Sequence, residues 1–230
     1  MKRVLRAMEV PLLLAVPLGL IICARYQVAQ SALLTVLVAL VAVAVLLAGY
    51  ETSRPSLRQI VPTVVMAALA AAGRILFAPI PDFKPVTAIC IIAGVVFGKR
   101  EGFMTGALAA LASNFFFGQG LWTPWQMYTW GLVGYLAGVL ADHGAFKWPW
   151  VLYAYGFVSS LLYGFVLNSW YIVGYVHPIT LPSALAAYGA GLPFDSLHGV
   201  ATVVFLLALY LPWRRKLERI KRKFALGERG

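Results

Sequence analysis

The chain has 230 residues, of which 61% are hydrophobic and 12% charged. Soluble domains carry about 25% charged residues, so a water-facing globular surface is excluded and lipid is the expected solvent. A net charge of +11 suggests nucleic acid at first sight, but eight of the nineteen Lys and Arg residues lie in one stretch, 214–230, directly behind an apolar run, where membrane topology and anionic headgroups account for them.

A helix needs about 20 mostly apolar residues to cross the hydrocarbon. Taken in chain order, runs 10–24 and 31–49 come first, followed by the polar break YETSRPSLRQ at 50–59. The opening MKRVLR before an apolar run also resembles a signal peptide, whose removal near Ser31 leaves seven spans; we read it as a helix. Cys23 follows Ile22, where lipoprotein processing needs a small residue. Six further runs occupy 60–77, 86–98, 102–117, 127–141, 150–174 and 194–213, of which 86–98 is short enough to be tilted or re-entrant. The expected class is an all-α integral membrane protein. Two accessory helices and a linker occupy 1–59, a six-helix bundle occupies 60–213, and a basic tail occupies 214–230.

Lys and Arg collect in cytoplasmic loops, which tests the spans against charges not used to find them. Sixteen of the nineteen fall on one side; Arg25 and Lys84 fall on the other, and Arg74 lies inside a span. The expected location is the cell membrane, multi-pass, with both termini cytoplasmic.

Carriers and enzymes that move protons place carboxylates or histidines at membrane depth. Here every acid falls in a loop, a tail or a span end, as do His143, His177 and His198, with no i, i+4 pair for zinc. Cys23 and Cys90 suggest neither a disulfide framework nor a metal cluster. AGVVFGKRE mimics a phosphate loop, but Ala93 replaces its first Gly and Arg100 its Ser or Thr. No catalysis, cofactor or metal is expected, and energy for transport has to come from partners.

Small residues recur at helix-packing spacing: Gly94 and Gly98, Gly102 and Gly106, Gly134 and Gly138, and the ladder Ala67, Ala68, Ala71, Ala72. They suit either packing within one bundle or a partner interface. On the outer side of this topology lie APIPDFKP (78–85), GQGLWTPWQ (118–126) and the stretch 175–193, poor in charge and rich in Pro, Gly, aromatic and amide residues. One reading is a lid over an organic ligand; the other is an interfacial belt of Trp122, Trp125, Tyr128 and Trp130. Arg74, a charge in an apolar span, needs Asp82, Asp195 or a polar ligand group. Asn114 and Asn168 are amides in apolar surroundings, able to bond helices or ligand.

The stretch FAPIPDFKPVTAICIIAGVVFGKREGFMTGALAALASNFFFGQGLWTPWQM resembles the substrate-binding S components of energy-coupling factor (ECF) transporters, and the likeness extends more loosely over 60–213. Residues 115–125 look most similar to members predicted to carry cobalamin. The resemblance implies a subunit that captures a vitamin outside and docks on a transmembrane T component served by two ATP-binding subunits. The expected substrate set, read from the outer-side loops and the polar residues of the spans, is Arg74, Lys84, Asn114, Gln119, Trp122, Trp125, Gln126, Asn168, Tyr171 and His198. The family's Ala-x-x-x-Ala contact with the T component matches Ala67 with Ala71, or Ala68 with Ala72; the expected pair is Ala67 and Ala71. The competing reading is a membrane scaffold or assembly protein without a small-molecule ligand.

Overall fold

A computed structural model describes residues 2–27, 31–52 and 57–223. These form eight α-helices: α1 (Lys2–Tyr26), α2 (Ser31–Thr52), α3 (Leu57–Leu76), α4 (Val86–Phe97), α5 (Lys99–Phe117), α6 (Thr123–Asp142), α7 (Pro149–Tyr175) and α8 (Leu181–Lys223). Apolar runs in lipid have no water to bond their backbone, and the helix satisfies every peptide group internally. Of the eight, α7 and α8 are long and apolar enough to cross a membrane by themselves, and α1, α3 and α4 contain shorter apolar stretches. Pro124 and Pro149 stand in the first turns of α6 and α7, where a missing N–H costs nothing.

Ten of the twelve residues of α4 are buried, which makes it the central helix of the bundle. It packs against α3, α5, α6 and α8. A single residue, Gly98, turns the chain from α4 into α5 at a φ of 114°, open to glycine and strained for other residues. Beyond that turn the glycines of α4, α5 and α6 meet: a Cβ on Gly94 or Gly102 would strike the Gly134 carbonyl, and one on Gly106 the Trp130 backbone. The Gly ladder therefore serves close packing inside the bundle.

The stretch 175–193, expected as a loop, is helical from Leu181 onward. Its Ala and Leu content favours helix, and Pro193 is carried inside α8. The basic tail is also helical as far as Lys223, and Lys221 Nζ donates to the carbonyl of Val96 at 2.8 Å, satisfying the C-terminal end of α4.

Helices α1 and α2 pair and lie against α6 and α7. Tyr128 Oη donates to the Leu13 carbonyl at 2.6 Å, fixing α1 to α6. On another face, α3, α4 and α8 enclose an apolar groove of about 660 Å³, lined by Ala72, Ile89, Phe205 and Trp213 among others. Ala67 and Ala71 point into the bundle at 4% and 6% exposure, whereas Ala68 and Ala72 are exposed. The expected pair, Ala67 and Ala71, is thus buried against the neighbouring helices, and the alternative pair, Ala68 and Ala72, lies on the open face of α3.

Candidate functional site

The last turn of α3 carries Arg74 into the bundle, where it is 9% exposed. Its Nη1 donates to Ser113 Oγ at 2.6 Å and to Asn114 Oδ1 at 2.7 Å, both at the end of α5. The guanidinium also lies 4.6 Å from the ring centre of Phe117 and 4.9 Å from that of Trp130. Two charge-assisted bonds and two aromatic faces replace the lost hydration of the cation. The expectation of Asp82 or Asp195 as its structural partner gives way to these neutral groups.

Asn114 relays the arrangement onward. Its Nδ2 donates to Thr123 Oγ1 at 3.0 Å and to Gln126 Oε1 at 2.8 Å, so α5 orients the first turn of α6. One turn further along α6, Trp130 donates through Nε1 to Thr87 Oγ1 at 3.0 Å, and Thr87 is hydrogen-bonded to His198 Nε2 at 2.7 Å. Trp130 stacks on Tyr163 at 4.7 Å, and Tyr163 meets the His198 ring edge-on at 5.3 Å. Side chains from α3, α4, α6, α7 and α8 are thereby locked to one another.

They surround a polar cavity of about 120 Å³, lined by Arg74, Asp82, Lys84, Val86, Gln126, Trp130, Tyr163 and His198. Asp82 and Lys84 come from the α3–α4 connection, where Asp82 adopts a φ of +49° and Lys84 Nζ donates to the Ile80 carbonyl at 3.1 Å. Burial raises the Asp82 carboxyl above its ordinary range, with Lys84 opposing. Burial lowers the Lys84 ammonium, and Arg74 adds to that effect while Asp82 opposes it. The cavity thus offers guanidinium and ammonium donors, a carboxylate, an amide with both functions, and a flat aromatic pair. Such a mixture fits a ring-bearing molecule with both donors and acceptors better than a simple anion. Among the described residues, no group of three or more His, Cys, Asp or Glu is placed to hold a metal.

Of the substrate set expected from sequence, Arg74, Lys84, Gln126 and His198 line this cavity, with Asn114 directly behind them. The others lie elsewhere. Trp125 is fully buried and stacked on Trp170 at 6.2 Å, so it is a core residue and not part of a lid. Gln119 braces the α5–α6 connection by donating to the Leu111 carbonyl and accepting from Thr123. Trp122 is 41% exposed, and Tyr171 is 52% exposed and stacked on Tyr175. Asn168 donates to Asp195 Oδ2 at 3.2 Å, joining α7 to α8. Sequence reasoning missed Asp82, Val86, Trp130 and Tyr163 as wall residues. For Asp82 the signal was present, an acid two residues from Lys84 in a loop facing Arg74.

The described residues thus form an all-helical bundle with a small polar chamber between its helices. Residues 54–214 match the family of ECF-type riboflavin transporter S components, and the chain belongs to that family. No solved structure matches the chain. Its membership makes it a substrate-specific subunit of an ECF transporter in the cell membrane, in a family that transports rather than catalyses. The family is riboflavin-type, which does not support the expected cobalamin specificity. Both α1 and α2 precede the matched segment.

Proposed function

We propose that the chain captures riboflavin or a closely similar flat vitamin in the Arg74–His198 chamber and hands it to an ATP-driven ECF complex. The observation carrying this reading is that four side chains expected to contact substrate, drawn from three helices and a connection, line one polar cavity inside the family-matched segment. The aromatic pair Trp130–Tyr163 offers a ring system a surface to stack on, and the donors and acceptors around it suit the polar edge of a fused heterocycle. The chamber opens to the outside in this reading, and the exposed pair Ala68 and Ala72, beside the α3–α8 groove, receives the T component with its two ATP-binding subunits.

Titration of the purified full-length chain in lipid nanodiscs with riboflavin, followed by quenching of flavin fluorescence, tests the reading. Saturable one-to-one binding that excess cobalamin does not compete is the expected result. Absence of riboflavin binding, or displacement by cobalamin, overturns it; co-purification with envelope proteins alone, and no vitamin, returns the scaffold reading.

A further inference from the structure

A second cavity, of about 330 Å³, lies between α1 and the bundle, away from the polar chamber. Its walls include Val16, Leu20 and Ala24 of α1, Leu162 and Val166 of α7, and Ala184 of α8. The polar atoms at its edge are already engaged. Ser169 Oγ donates to the Phe165 carbonyl at 2.6 Å and is hydrogen-bonded to Tyr188 Oη at 2.8 Å, and Tyr128 Oη is held by the Leu13 carbonyl.

Buried water needs two to four polar partners, and these walls offer none that is free. The space is therefore dry. An apolar cavity of about 150 Å³ already takes up benzene from water, and this one has more than twice that volume. Left empty, its walls forfeit dispersion contacts. In a bilayer the abundant molecule able to supply those contacts is a lipid acyl chain. A protein side chain from a partner would have to enter between three helices, whereas a single hydrocarbon tail is slender enough to slide along them.

Two features favour a held lipid over passing solvent. At the end of α1, Gln27 bridges to the α7–α8 connection, its Nε2 donating to the Ile179 carbonyl at 3.1 Å and its Oε1 accepting from the Ile179 amide at 3.3 Å. This clamp ties the walls together at that end. Arg25 is exposed and follows the wall residue Ala24 directly, so the end of α1 that borders the seam carries a cation, the charge that complements a lipid phosphate. We infer that the seam between α1 and α7–α8 is a binding site for one acyl chain of an anionic phospholipid, a role for the accessory helix that is independent of the vitamin.

The test uses the full-length chain in vesicles of phosphatidylglycerol and phosphatidylethanolamine containing a phosphatidylglycerol with a photoreactive diazirine in its acyl chain. After illumination, labelled peptides are expected from 16–24 and 162–188 at several times the level found at 200–211 of α8, whose Val204, Leu207 and Leu211 are openly exposed. Even labelling of the two regions overturns the site. Native mass spectrometry gives a second readout: one phospholipid retained by the unaltered chain, lost at least tenfold in Ala24→Phe/Ala184→Phe, which fills the seam from two walls. Retention unchanged in that variant, or no lipid retained by the unaltered chain, also overturns it. Should the double variant fail to fold, the photolabelling of the unaltered chain decides alone.

Discussion

Arg74 commits one of its nitrogens, Nη1, to Ser113 and Asn114, although a guanidinium carries five N–H groups. The cavity it lines is where the remaining donors have use. Arg74→Ala is expected to weaken riboflavin binding about 10- to 100-fold, the 1 to 3 kcal/mol or so of a desolvated charge-assisted bond. Arg74→Lys should rescue little, because an ammonium cannot reproduce the fork or its stacking between Phe117 and Trp130. Flavin titration beside a thermal melt separates this from a folding defect; unchanged affinity in both variants returns Arg74 to a purely structural role. For Asp82 the expectation concerns pH. Its carboxyl is raised by burial, so protonation sets in at a higher pH than for an exposed Asp, and a ligand donor that needs the carboxylate loses it as pH falls. Affinity should drop on acidification, and Asp82→Asn should bind weakly with a flattened profile between pH 7 and 4. The two residues were not equally legible in sequence. A charge within an apolar span announces itself by its desolvation cost, whereas an acid in a loop has many solvated alternatives. Trp125 was misplaced for another reason, since an aromatic at a span end belongs equally well to a belt, a lid or a core.

Helix α6 illustrates what small residues decide. A Cβ at Gly134 would meet the backbone of Gly102, so Gly134→Val is expected to prevent the chain from accumulating in folded form, seen as loss of a monodisperse peak after detergent extraction. Helix α3 separates two outcomes on adjacent residues. Ala68→Leu/Ala72→Leu adds bulk to an exposed face and should abolish co-purification with the T component while riboflavin binding persists. Ala67→Leu/Ala71→Leu overfills the interior, and there the melting temperature should fall. Reversed results would restore the inner register. The alanine spacing was readable in sequence, but its direction was not. Ala67, Ala68, Ala71 and Ala72 form two adjacent pairs with the same spacing, so spacing alone fits either face of α3. The start of α8 was hidden by its Pro and Gly content, which signals a break in a soluble chain and is tolerated in a membrane helix.

For the molecule as a whole, sixteen basic residues against two fix the expected orientation, with both termini in the cytoplasm. Cys23 and Cys90 are buried, so a single cysteine introduced at Gly120 or at Lys223 reports alone. Labelling of intact cells by an impermeant maleimide is expected at 120 and absent at 223; the opposite pattern would turn the chamber to the cytoplasm and remove its role in uptake. The number of helices was legible because hydrocarbon thickness sets a length. Their arrangement, with α4 at the centre and α1–α2 laid against α6 and α7, depends on which small residues meet, and spacing alone leaves that undetermined.

The length of α8 ties these scales together. One helix carries His198 at the chamber, Phe205, Leu209 and Trp213 at the groove, and Lys221 on the end of α4. At 1.5 Å per residue, the fifteen residues from His198 to Trp213 span about 22 Å of continuous helix, with Pro212 at its far end. If the chamber holds the vitamin as proposed, a ligand that moves α8 at His198 is expected to move it at Trp213 as well. Substitutions at His198 and Trp213, which share α8 across its chamber and groove ends, are then expected to combine non-additively in an assay of transport. On the proposed reading, a change of vitamin preference at the chamber is then expected to come with a change in the fit of the α3–α8 groove to its partner.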